Sequence, residues 1–322
     1  MGDAQTAAAA QEALRREVRA ADAARPREEM KGAMQAGARR YPEPPFEGSL
    51  NKPGLEGDQS LKPMFDAPYY KGSEKLLDRV AVITGGDSGI GRSVAVLFAR
   101  EGADVAILHL PEEQSDADAV VALVQQEGRR AIAIAGDVTD RDFCFSAAAK
   151  VVETFGKIDV LVNNAAFQLH VSRFEDLTEA HFDHTVKTNL YGYFQMAQAC
   201  VPHMGEGAAI VNSGSVTGLL GNSTIVDYSM TKGGIHSFTR ALSGLLAARG
   251  IRVNAVAPGP VWTPLNPSDN PDALKSFGDN TRMKRPAQPE EIAPAYVFLA
   301  SPHTASYITG EILPVIGGYT DR

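Results

Sequence analysis

The sequence predicts an α/β fold in which an N-terminal extension precedes a single domain built on one doubly wound, parallel, seven-stranded sheet. Three observations lead to this prediction. Short apolar runs recur from Arg79 onward, stretches of helical period separate them, and the first run leads directly into a glycine-rich loop that opens a helix. The helical period is clear after that loop, where Ile90, Val94, Leu97 and Phe98 fall on one face.

Composition and charge limit the class of protein. The chain has 322 residues, 44% of them hydrophobic, and a net charge of −8 with no dense stretch of lysine or arginine. Such a surface suits neither nucleic acid nor anionic lipid, so we expect a small-molecule substrate, no nucleic acid and no membrane. The two cysteines, Cys144 and Cys200, provide neither a disulfide framework nor a metal-ligand spacing. No apolar run approaches the roughly 20 residues of a membrane span and no signal-peptide pattern is present, so the expected location is cytoplasmic.

The N-terminal extension has two parts of different composition. Residues 1–40 are rich in Ala, Arg and Glu and poor in large apolar side chains, which predicts a mobile tail. Residues 41–75 are dense in Pro and Gly, which prevent a regular helix or a central strand. Aromatic residues and Met64 indicate that this second part is an arm lying on another surface rather than a free linker. The domain itself is expected at residues 76–322.

Seven apolar runs are interpreted as buried strands of a parallel sheet. In chain order they are RVAVIT (79–84), DVAIL (104–108), AIAIA (131–135), IDVLVN (158–163), AAIVNSG (208–214), IRVNAVAPG (251–259) and EILPVIGG (311–318). Since helical crossovers connect them, a ligand is expected outside the carboxyl ends of the strands.

The loop TGGDSGIG, residues 84–91, joins the first strand to the following helix. Gly85 permits the sharp turn, Gly89 allows the backbone to approach a pyrophosphate, and Gly91 allows the helix to pack against the strand. The N-terminus of that helix supplies N–H groups and a positive dipole for a phosphate. Because this glycine motif lies between a strand and a helix, it predicts the dinucleotide site of a Rossmann fold.

Two further strand ends agree with a dinucleotide lying across the sheet. In GDVTD, Asp137 and Val138 stand where the third strand ends and are suited to hold the edge of an adenine. In NNAA, residues 163–166 end the fourth strand with side chains small enough for a cofactor to lie close. Either segment alone could be an ordinary loop, but their order and spacing favour the cofactor.

The motifs TGGDSGIG, GDVTD, NNAA, YSMTK and PGPVWT occur in this order, and through them the chain resembles the short-chain dehydrogenase/reductase family over about residues 76–320. Within that family, GGDSGIGR, YKGSEKL and PGPVWTPL resemble a bacterial branch of NAD(P)-dependent oxidoreductases. That branch includes aldehyde reductases and proteins labelled glucose or ribitol dehydrogenase-like. The resemblance implies an NAD(P) cofactor, interconversion of a carbonyl and an alcohol, and a homotetramer. Helices beginning near Asn189 and Tyr228 would form much of one interface.

In YSMTK, Tyr228 and Lys232 stand four residues apart at the start of a predicted helix, and residues at this spacing share a face. A tyrosine acts as an acid/base near neutral pH only if its pKa falls from about 10 to near 7, a change worth roughly 4 kcal/mol. One cation about 4 Å away in a partly shielded site supplies roughly that energy. Tyr228 is therefore the candidate acid/base, and Lys232 is the residue expected to lower its pKa.

Two further catalytic positions follow from the resemblance. Ser215, 13 residues before Tyr228 and at the end of the fifth predicted strand, matches the serine that hydrogen-bonds the substrate oxygen. Asn189 in KTNLYGY matches the asparagine that links Lys232 to solvent through water. The alternative for Asn189 is a residue that merely bends its helix, since asparagine is a poor interior residue.

After the sixth strand, PGPVWT supplies a turn, and the polar segment that follows is expected to be a mobile substrate lid. By resemblance, the backbone of Val261, the hydroxyl of Thr263 and the ammonium of Lys232 face the nicotinamide half of the cofactor. The residues expected to contact the dinucleotide are Gly85, Asp87, Ser88, Gly89, Ile90, Gly91, His109, Asp137, Val138, Asn164, Ala165, Tyr228, Lys232, Pro258, Gly259, Val261 and Thr263.

The choice between NAD and NADP stays open at this point. Relatives that prefer NAD usually carry an acidic residue at the end of the second strand, and relatives that prefer NADP a basic one, whereas this chain has His109 and Leu110. Asp87 and the glutamates 112 and 113 would disfavour a 2′-phosphate if they face it, and Arg92 would favour one.

The leading hypothesis is an NAD(P)-dependent oxidoreductase acting on an aldehyde, ketone or sugar and the corresponding alcohol. A sugar-nucleotide epimerase or dehydratase shares the Tyr–Lys spacing, but the PGPVWT turn weighs against it. A non-catalytic NAD(P)-sensing interaction protein would not need the intact set of Asn189, Ser215, Tyr228 and Lys232. Enoyl reductases space the tyrosine and lysine further apart. In HFDH, His181 and His184 have no third ligand at a suitable spacing, so we expect a solvated helix face and no metal.

Overall fold

The computed structural model describes residues 2–25 and 32–318, and all structural statements below concern these residues. The predicted tail at residues 1–40 lies partly outside them, as do the last four residues of the predicted domain. The chain divides into two compact units, Met1–Met34 and Gln35–Arg322. The first contains one helix, α1, over Gly2–Ala24. The second contains the sheet.

The sheet has seven strands, and every neighbouring pair is parallel. Their order across the sheet is β3-β2-β1-β4-β5-β6-β7, the doubly wound arrangement that the sequence predicts. The strands are β1 Val80–Thr84, β2 Asp104–His109, β3 Ala131–Ala135, β4 Val160–Asn163, β5 Ala209–Ser213, β6 Arg252–Pro258 and β7 Ile312–Val315.

Helices cover both faces of the sheet, which is why its strands are apolar on both sides. In β1, Ala81 and Ile83 belong to one apolar cluster, and Val80 and Val82 belong to the opposite one. The principal helices are α2 Gly89–Arg100, α3 Gln114–Gln126, α4 Arg141–Phe155, α5 Glu179–Val186, α6 Gly192–Cys200, α7 Thr217–Leu220, α8 Val226–Leu246, α9 Pro289–Ala300 and α10 Pro302–Ala305. The first cluster includes side chains of α2, α3 and α9, and the second includes side chains of α4 and α6.

A π-helical turn, Lys187–Tyr191, joins α5 to α6. Such turns widen a helix by one residue and often occur at functional sites. Here the turn contains Asn189, whose side chain is fully buried. The strand-to-helix pattern of the sequence predicts a helix in this region but not the π turn, because one extra residue hardly changes an apolar period.

The Pro/Gly-rich arm lies on its own domain. Phe46 stacks on the fully buried Trp262, with ring centroids 4.6 Å apart, and the indole Nε1 of Trp262 donates to the carbonyl oxygen of Leu61 at 2.9 Å. The Arg285 guanidinium lies 4.6 Å above the ring of Tyr41, which is also buried. The arm therefore extends the apolar core instead of linking two separate bodies.

Buried carboxylates of the domain hold the backbone of this arm. Asp116 accepts the backbone N–H groups of Glu56 and Gly57. Glu101 accepts those of Ser73 and Lys75. In a loop that makes no sheet hydrogen bonds, these carboxylates give the backbone amides acceptors and hold the loop in place.

No helix in the described ranges combines the length and the apolar character that crossing a bilayer requires.

Candidate functional site

A cavity of about 690 Å³ opens at the carboxyl ends of the strands. The order of the sheet reverses between β1 and β4, and the cavity spans this switch point, where doubly wound sheets bind ligands. The residues predicted to contact a dinucleotide line it with one exception, Gly91: Gly85, Asp87, Ser88, Gly89, Ile90, His109, Asp137, Val138, Asn164, Ala165, Tyr228, Lys232, Pro258, Gly259, Val261 and Thr263. Of the two further catalytic candidates, Ser215 lines it and Asn189 lies behind it.

The glycine loop has the geometry that its sequence predicts. Gly85 and Gly89 have positive φ angles of 58° and 50°, which side-chain-bearing residues rarely adopt. A Cβ atom on Gly91 would lie 1.9 Å from the carbonyl oxygen of Gly85, so only glycine lets α2 begin this close to β1. Gly91 therefore has a packing role beneath the cavity.

Asn164 fixes the glycine loop from the neighbouring strand. Its side-chain Nδ2 donates to the carbonyl oxygens of Thr84 and Gly85 at 3.2 and 2.9 Å. The Thr84 hydroxyl in turn accepts the backbone N–H groups of Asn164 and Ala165. Thr84 is not among the residues predicted from the sequence, and its position as the last residue of β1 was the signal that could have indicated it.

Tyr228, in the first turn of α8, is mostly buried and faces the cavity together with Ser215. Burial raises the pKa of Tyr228 above its ordinary value, a hydrogen bond with the Ser215 side chain opposes this, and the carboxylate of Asp269 adds to it. The Ser215 hydroxyl also accepts from the backbone N–H and the hydroxyl of Thr217 at 3.1 and 3.0 Å.

Lys232 lies one turn further along α8 and is fully buried. Its ammonium donates to the carbonyl oxygen of Ser213 at 2.8 Å and to the Tyr193 hydroxyl at 3.3 Å. It stands 5.3 Å from the centre of the Tyr228 ring, as the spacing predicts. Burial lowers the pKa of Lys232 to about 7.

The electrostatic environments of Tyr228 and Lys232 differ from the environment that the sequence predicts. From the sequence, a charged Lys232 is expected to bring the pKa of Tyr228 down. Burial instead weakens the charge of Lys232 and raises the pKa of Tyr228, because both side chains lose hydration. The phenol of Tyr228 is therefore protonated at neutral pH in this structure.

Asn189 stands behind the cavity and bridges two segments. Its Nδ2 donates to the carbonyl oxygen of Phe167 and to the Thr231 hydroxyl, and its Oδ1 accepts the backbone N–H of Phe167 at 2.8 Å. The side chain thus ties the segment after β4 to α8, next to Lys232.

Several residues that support the site were missed by the sequence analysis. His236, one turn beyond Lys232 on α8, has Nε2 3.4 Å from the backbone N of Ser215, and burial lowers its pKa to about 4, so the neutral ring accepts. The hydroxyl groups of Ser213 and Tyr296 lie 2.6 Å apart beneath the cavity. His236 stands four residues after Lys232 on α8, so the two side chains share a face of the helix. This spacing is the signal in the sequence that could have indicated His236.

The part of the cavity beyond the ends of β4 and β5 is polar. Asp269 accepts from the side chain of Gln168 and from the backbone N–H of His170 at 2.5 and 2.7 Å, and it also pairs with the His170 ring. Lys52, from the arm, donates to the carbonyl oxygen of Gln168 at 2.9 Å and stands over the Phe167 ring. The arm thus contributes directly to the cavity wall.

The prediction of a solvated face for HFDH is wrong for His181. Its side chain is only 10% exposed, and Nε2 lies 3.3 Å from an oxygen of Asp227 without the alignment of a hydrogen bond. His184 packs edge-on against Phe167 and borders the cavity. Within the described ranges, no group of three or more His, Cys, Asp or Glu side chains is arranged to hold a metal ion.

The residues of the cavity fit a nicotinamide dinucleotide. The glycine loop brings backbone N–H groups and the N-terminus of α2 to its wall, as a pyrophosphate requires. Two buried acceptors in the wall, Asp87 Oδ1 and His109 Nε2, have no hydrogen-bond partner in the described part of the chain, and ribose or adenine can supply donors. When bound, such a cofactor donates or accepts a hydride. Fold and site together define a dinucleotide-dependent oxidoreductase.

Comparison with known proteins leads to the same class. A family model described as enoyl-(acyl carrier protein) reductase matches residues 85–320. The NADPH-dependent aldehyde reductase 1 of Arabidopsis thaliana is 44% identical, over 83% of this chain and 95% of its own. Glucose and ribitol dehydrogenase of Daucus carota is 46% identical, over 83% and 94%. The chain belongs to the short-chain dehydrogenase/reductase family and is an NAD(P)-dependent oxidoreductase that interconverts carbonyl and alcohol groups.

A solved structure supports this assignment. A short-chain dehydrogenase from Burkholderia cenocepacia in complex with NADP aligns with a TM-score of 0.71 at 34% identity, covering 76% of this chain and 98% of its own. The uncovered quarter of this chain corresponds in length to the N-terminal extension.

Proposed function

We propose that this chain is a cytoplasmic carbonyl reductase that acts on an aldehyde, ketone or sugar, with Tyr228 as the general acid. The main support for this proposal is that Tyr228, Ser215 and the fully buried Lys232 meet at one cavity wall. The same cavity contains the glycine loop. A proton donor and a hydride carrier can therefore act on one substrate carbon and its oxygen.

Each catalytic candidate has a separate role in this proposal. Tyr228 transfers the proton to the substrate oxygen. Ser215, whose hydroxyl borders the cavity beside Tyr228, orients that oxygen. Lys232 holds the nicotinamide ribose and Asn189 positions α8 beneath it.

The protonation state of Tyr228 favours reduction over oxidation near neutral pH. Because burial raises the pKa of its phenol, the hydroxyl is present to donate a proton to a carbonyl. The reverse reaction needs a phenolate and should therefore become faster as the pH rises.

Two relatives support the choice of substrate class. The Arabidopsis relative is named for reducing aldehydes, and the carrot relative is named for glucose and ribitol. The cavity wall formed by Gln168, His170 and Lys52 is polar and suits a substrate with several oxygens. The matched family model is described as an enoyl reductase, but enoyl reductases space the tyrosine and lysine further apart than the four residues between Tyr228 and Lys232.

We propose a homotetramer as the assembly. Large apolar side chains are exposed on the helices that begin near Asn189 and Tyr228, among them Tyr191, Phe194, Val226, Met230 and Leu245. Clustered apolar side chains on neighbouring helices are typical of a surface that another subunit covers.

The proposed function is tested by following nicotinamide absorbance with NADH and NADPH against a panel of aldehydes, ketones, sugars and polyols. We expect turnover of at least one carbonyl class, and Tyr228→Phe should lower kcat by about 100- to 10,000-fold because the proton donor is removed. Tyr307→Phe is the matched control, since Tyr307 is fully exposed. Tight cofactor binding without turnover of any compound would contradict the proposal and favour a sensor.

A further inference from the structure

The end of the cavity at the carboxyl end of β2 has an unusual set of side chains. Asp87, His109 and Glu113 all line it, from the glycine loop, the last residue of β2 and the turn that follows. In doubly wound sheets this is where the adenosine ribose lies and where a 2′-phosphate is accepted or refused. The inference below rests on the proposed function and concerns the cofactor of the same site.

Asp87 presents one carboxylate oxygen that has no donor among the described residues. Its side chain is 2% exposed, and Oδ1 has no hydrogen-bond partner within the described ranges. A buried carboxylate oxygen in this state is costly unless a ligand supplies a donor. Burial raises the pKa of Asp87 to about 6, so it is largely ionised at neutral pH.

His109 offers a second acceptor at the same end. The ring is 3% exposed, and Nδ1 lies 2.8 Å from the carbonyl oxygen of Leu110. A carbonyl only accepts, so Nδ1 carries the hydrogen, and in the neutral ring Nε2 presents a lone pair. Nε2 is buried and unpartnered among the described residues. A ribose hydroxyl or the adenine amine can donate to it, whereas a phosphate dianion cannot.

Glu113 adds a second carboxyl group. Its Oε2 accepts the backbone N–H of Leu110 at 2.9 Å, which fixes the side chain against the cavity. Burial, together with the nearby charge of Asp87, raises the pKa of Glu113 to about 8, so Glu113 is mostly protonated at neutral pH and Asp87 carries the negative charge of the pair. That charge repels an added dianion, and the repulsion grows as Glu113 ionises above about pH 8.

Arg92, the cation that would attract a 2′-phosphate, is engaged elsewhere. Its Nη1 donates to Oε1 of Glu56 at 2.8 Å, and its guanidinium lies 4.2 Å above the ring of Phe65. Glu56 is fully buried and its other oxygen accepts the backbone N–H of Gly89 at 2.7 Å. Arg92 does not line the cavity, whereas the glycine loop beside it does. Both Glu56 and Phe65 belong to the N-terminal arm.

The remaining lysines of the cavity lie away from this end. Lys52 contacts the carbonyl oxygen of Gln168, after β4, and Lys232 contacts that of Ser213, at the end of β5. Among the described residues that line the β2 end, none is a lysine or an arginine.

We propose that this chain selects NAD(H) over NADP(H), through the acceptors Asp87 and His109, the carboxyl group of Glu113 and the pairing of Arg92 with Glu56 of the arm. The arm is thereby a determinant of cofactor choice, although Glu56 does not reach the cavity. Glu56, in the arm that precedes the sheet, pairs with the positive charge of Arg92 and keeps it away from the place where a 2′-phosphate would lie.

Direct binding tests the proposal without any substrate. Trp262 is the single tryptophan of the sequence, it is buried, and Val261 and Thr263 on either side of it line the cavity. Energy transfer from Trp262 to a reduced nicotinamide therefore reports binding of NADH and NADPH to the full chain. We expect NADH to bind about 100-fold more tightly at low ionic strength, and the difference to shrink as salt is added. Equal binding, or tighter binding of NADPH, would overturn the proposal.

Two variants identify the groups responsible. At about pH 9, where Glu113 is ionised, Glu113→Gln keeps an acceptor for Leu110 but removes the charge, so the ratio of the NADPH and NADH dissociation constants should fall about tenfold. Glu112→Gln is the matched control, because Glu112 is exposed and does not line the cavity. Glu56→Gln keeps an acceptor for Gly89 while leaving the charge of Arg92 unbalanced, and it should lower the same ratio.

The outcomes separate this proposal from the proposed function. An unchanged ratio in both Glu113→Gln and Glu56→Gln would overturn the assignment of specificity to these residues. Equal binding of both cofactors with normal turnover would overturn the inference and leave the reductase intact. Failure of both dinucleotides to bind would overturn the inference and the reductase together.

Discussion

The ammonium of Lys232 lies fully buried, with the neutral oxygens of Ser213 and Tyr193 as its hydrogen-bond partners. Such an environment favours the neutral amine, and the pKa of Lys232 falls to about 7. In the unfolded chain a lysine has a pKa near 10.4. Between these two values the unfolded chain binds a proton that the folded chain lacks, so folding stability rises with pH in this window. Burial of Lys232 lowers the free energy of unfolding by its full amount below about pH 7, and this effect vanishes above about pH 10.

Lys232→Met should therefore be more stable than the parent protein at pH 7, by about 2 to 4 kcal/mol. The advantage should narrow as the pH approaches 10, while reductase activity is lost. Urea unfolding at pH 7, 8.5 and 10 measures both trends. Lys150→Met is the control, since Lys150 is exposed on α4 and should show no such pH dependence. A Lys232→Met protein that is less stable than the parent at pH 7 would contradict this account.

At the scale of elements, the arm depends on carboxylates that lie on the domain. Glu101, which follows α2, is fully buried and accepts the backbone N–H groups of Ser73 and Lys75 at 2.8 and 3.0 Å. It also accepts from the hydroxyl of Tyr70. Glu290, in the first turn of α9, accepts the backbone N–H of Ala67 in the same way, and it also accepts from Arg39, which lies at the end of the predicted tail. The arm is thus fixed at several points along its length.

Glu101→Ala should destabilise the protein by about 3 kcal/mol, because it removes a fully buried carboxylate that accepts from two backbone amides and a hydroxyl and pairs with Lys75. Urea unfolding measures the loss, and limited proteolysis should show earlier cleavage within residues 70–75. Glu153→Ala is the control, since Glu153 is exposed and contacts only Lys150 through its side chain among the hydrogen bonds described for it. Equal effects of the two substitutions would show that Glu101 does not anchor the arm.

The elements that the sequence predicts well are those governed by neighbouring residues. Most positions of the strand runs are apolar because helices cover both faces of the sheet. The loop at Gly85 and Gly89 needs positive φ angles that few other residues tolerate. The contacts of the arm are different in kind. Ala67 and Glu290 are 223 positions apart, and no local pattern relates them.

The same distinction applies to the site. The spacing of Tyr228 and Lys232 follows from one helical turn and is predictable from the residues, whereas the assignment of Ser215 came from the resemblance to the family. The protonation of Tyr228 and Lys232 is not, because burial depends on residues brought together by the whole fold. The pairing of Arg92 is hidden in the sequence for the same reason, since its partner Glu56 lies in an arm with no regular structure to place it.

At the scale of the whole molecule, the proposed tetramer makes a direct prediction. Phe194, on α6, is 48% exposed, and a charge there should prevent another subunit from covering this face. Light scattering of Phe194→Glu should give a smaller assembly than the parent chain at the same concentration. Phe145→Glu is the control, because Phe145 is exposed on α4, outside the proposed interface. A monomeric parent protein would contradict the proposal.

The contact between Glu56 and the N–H of Gly89 makes the arm and the glycine loop thermodynamically linked. A ligand that orders the loop lowers the free energy of the state in which this contact is formed, and the contact must then raise the affinity for that ligand by the same factor. Occupancy of the nucleotide site is therefore communicated to a segment more than thirty residues earlier in the chain. Local opening of the arm should therefore become less frequent when a ligand occupies the nucleotide site.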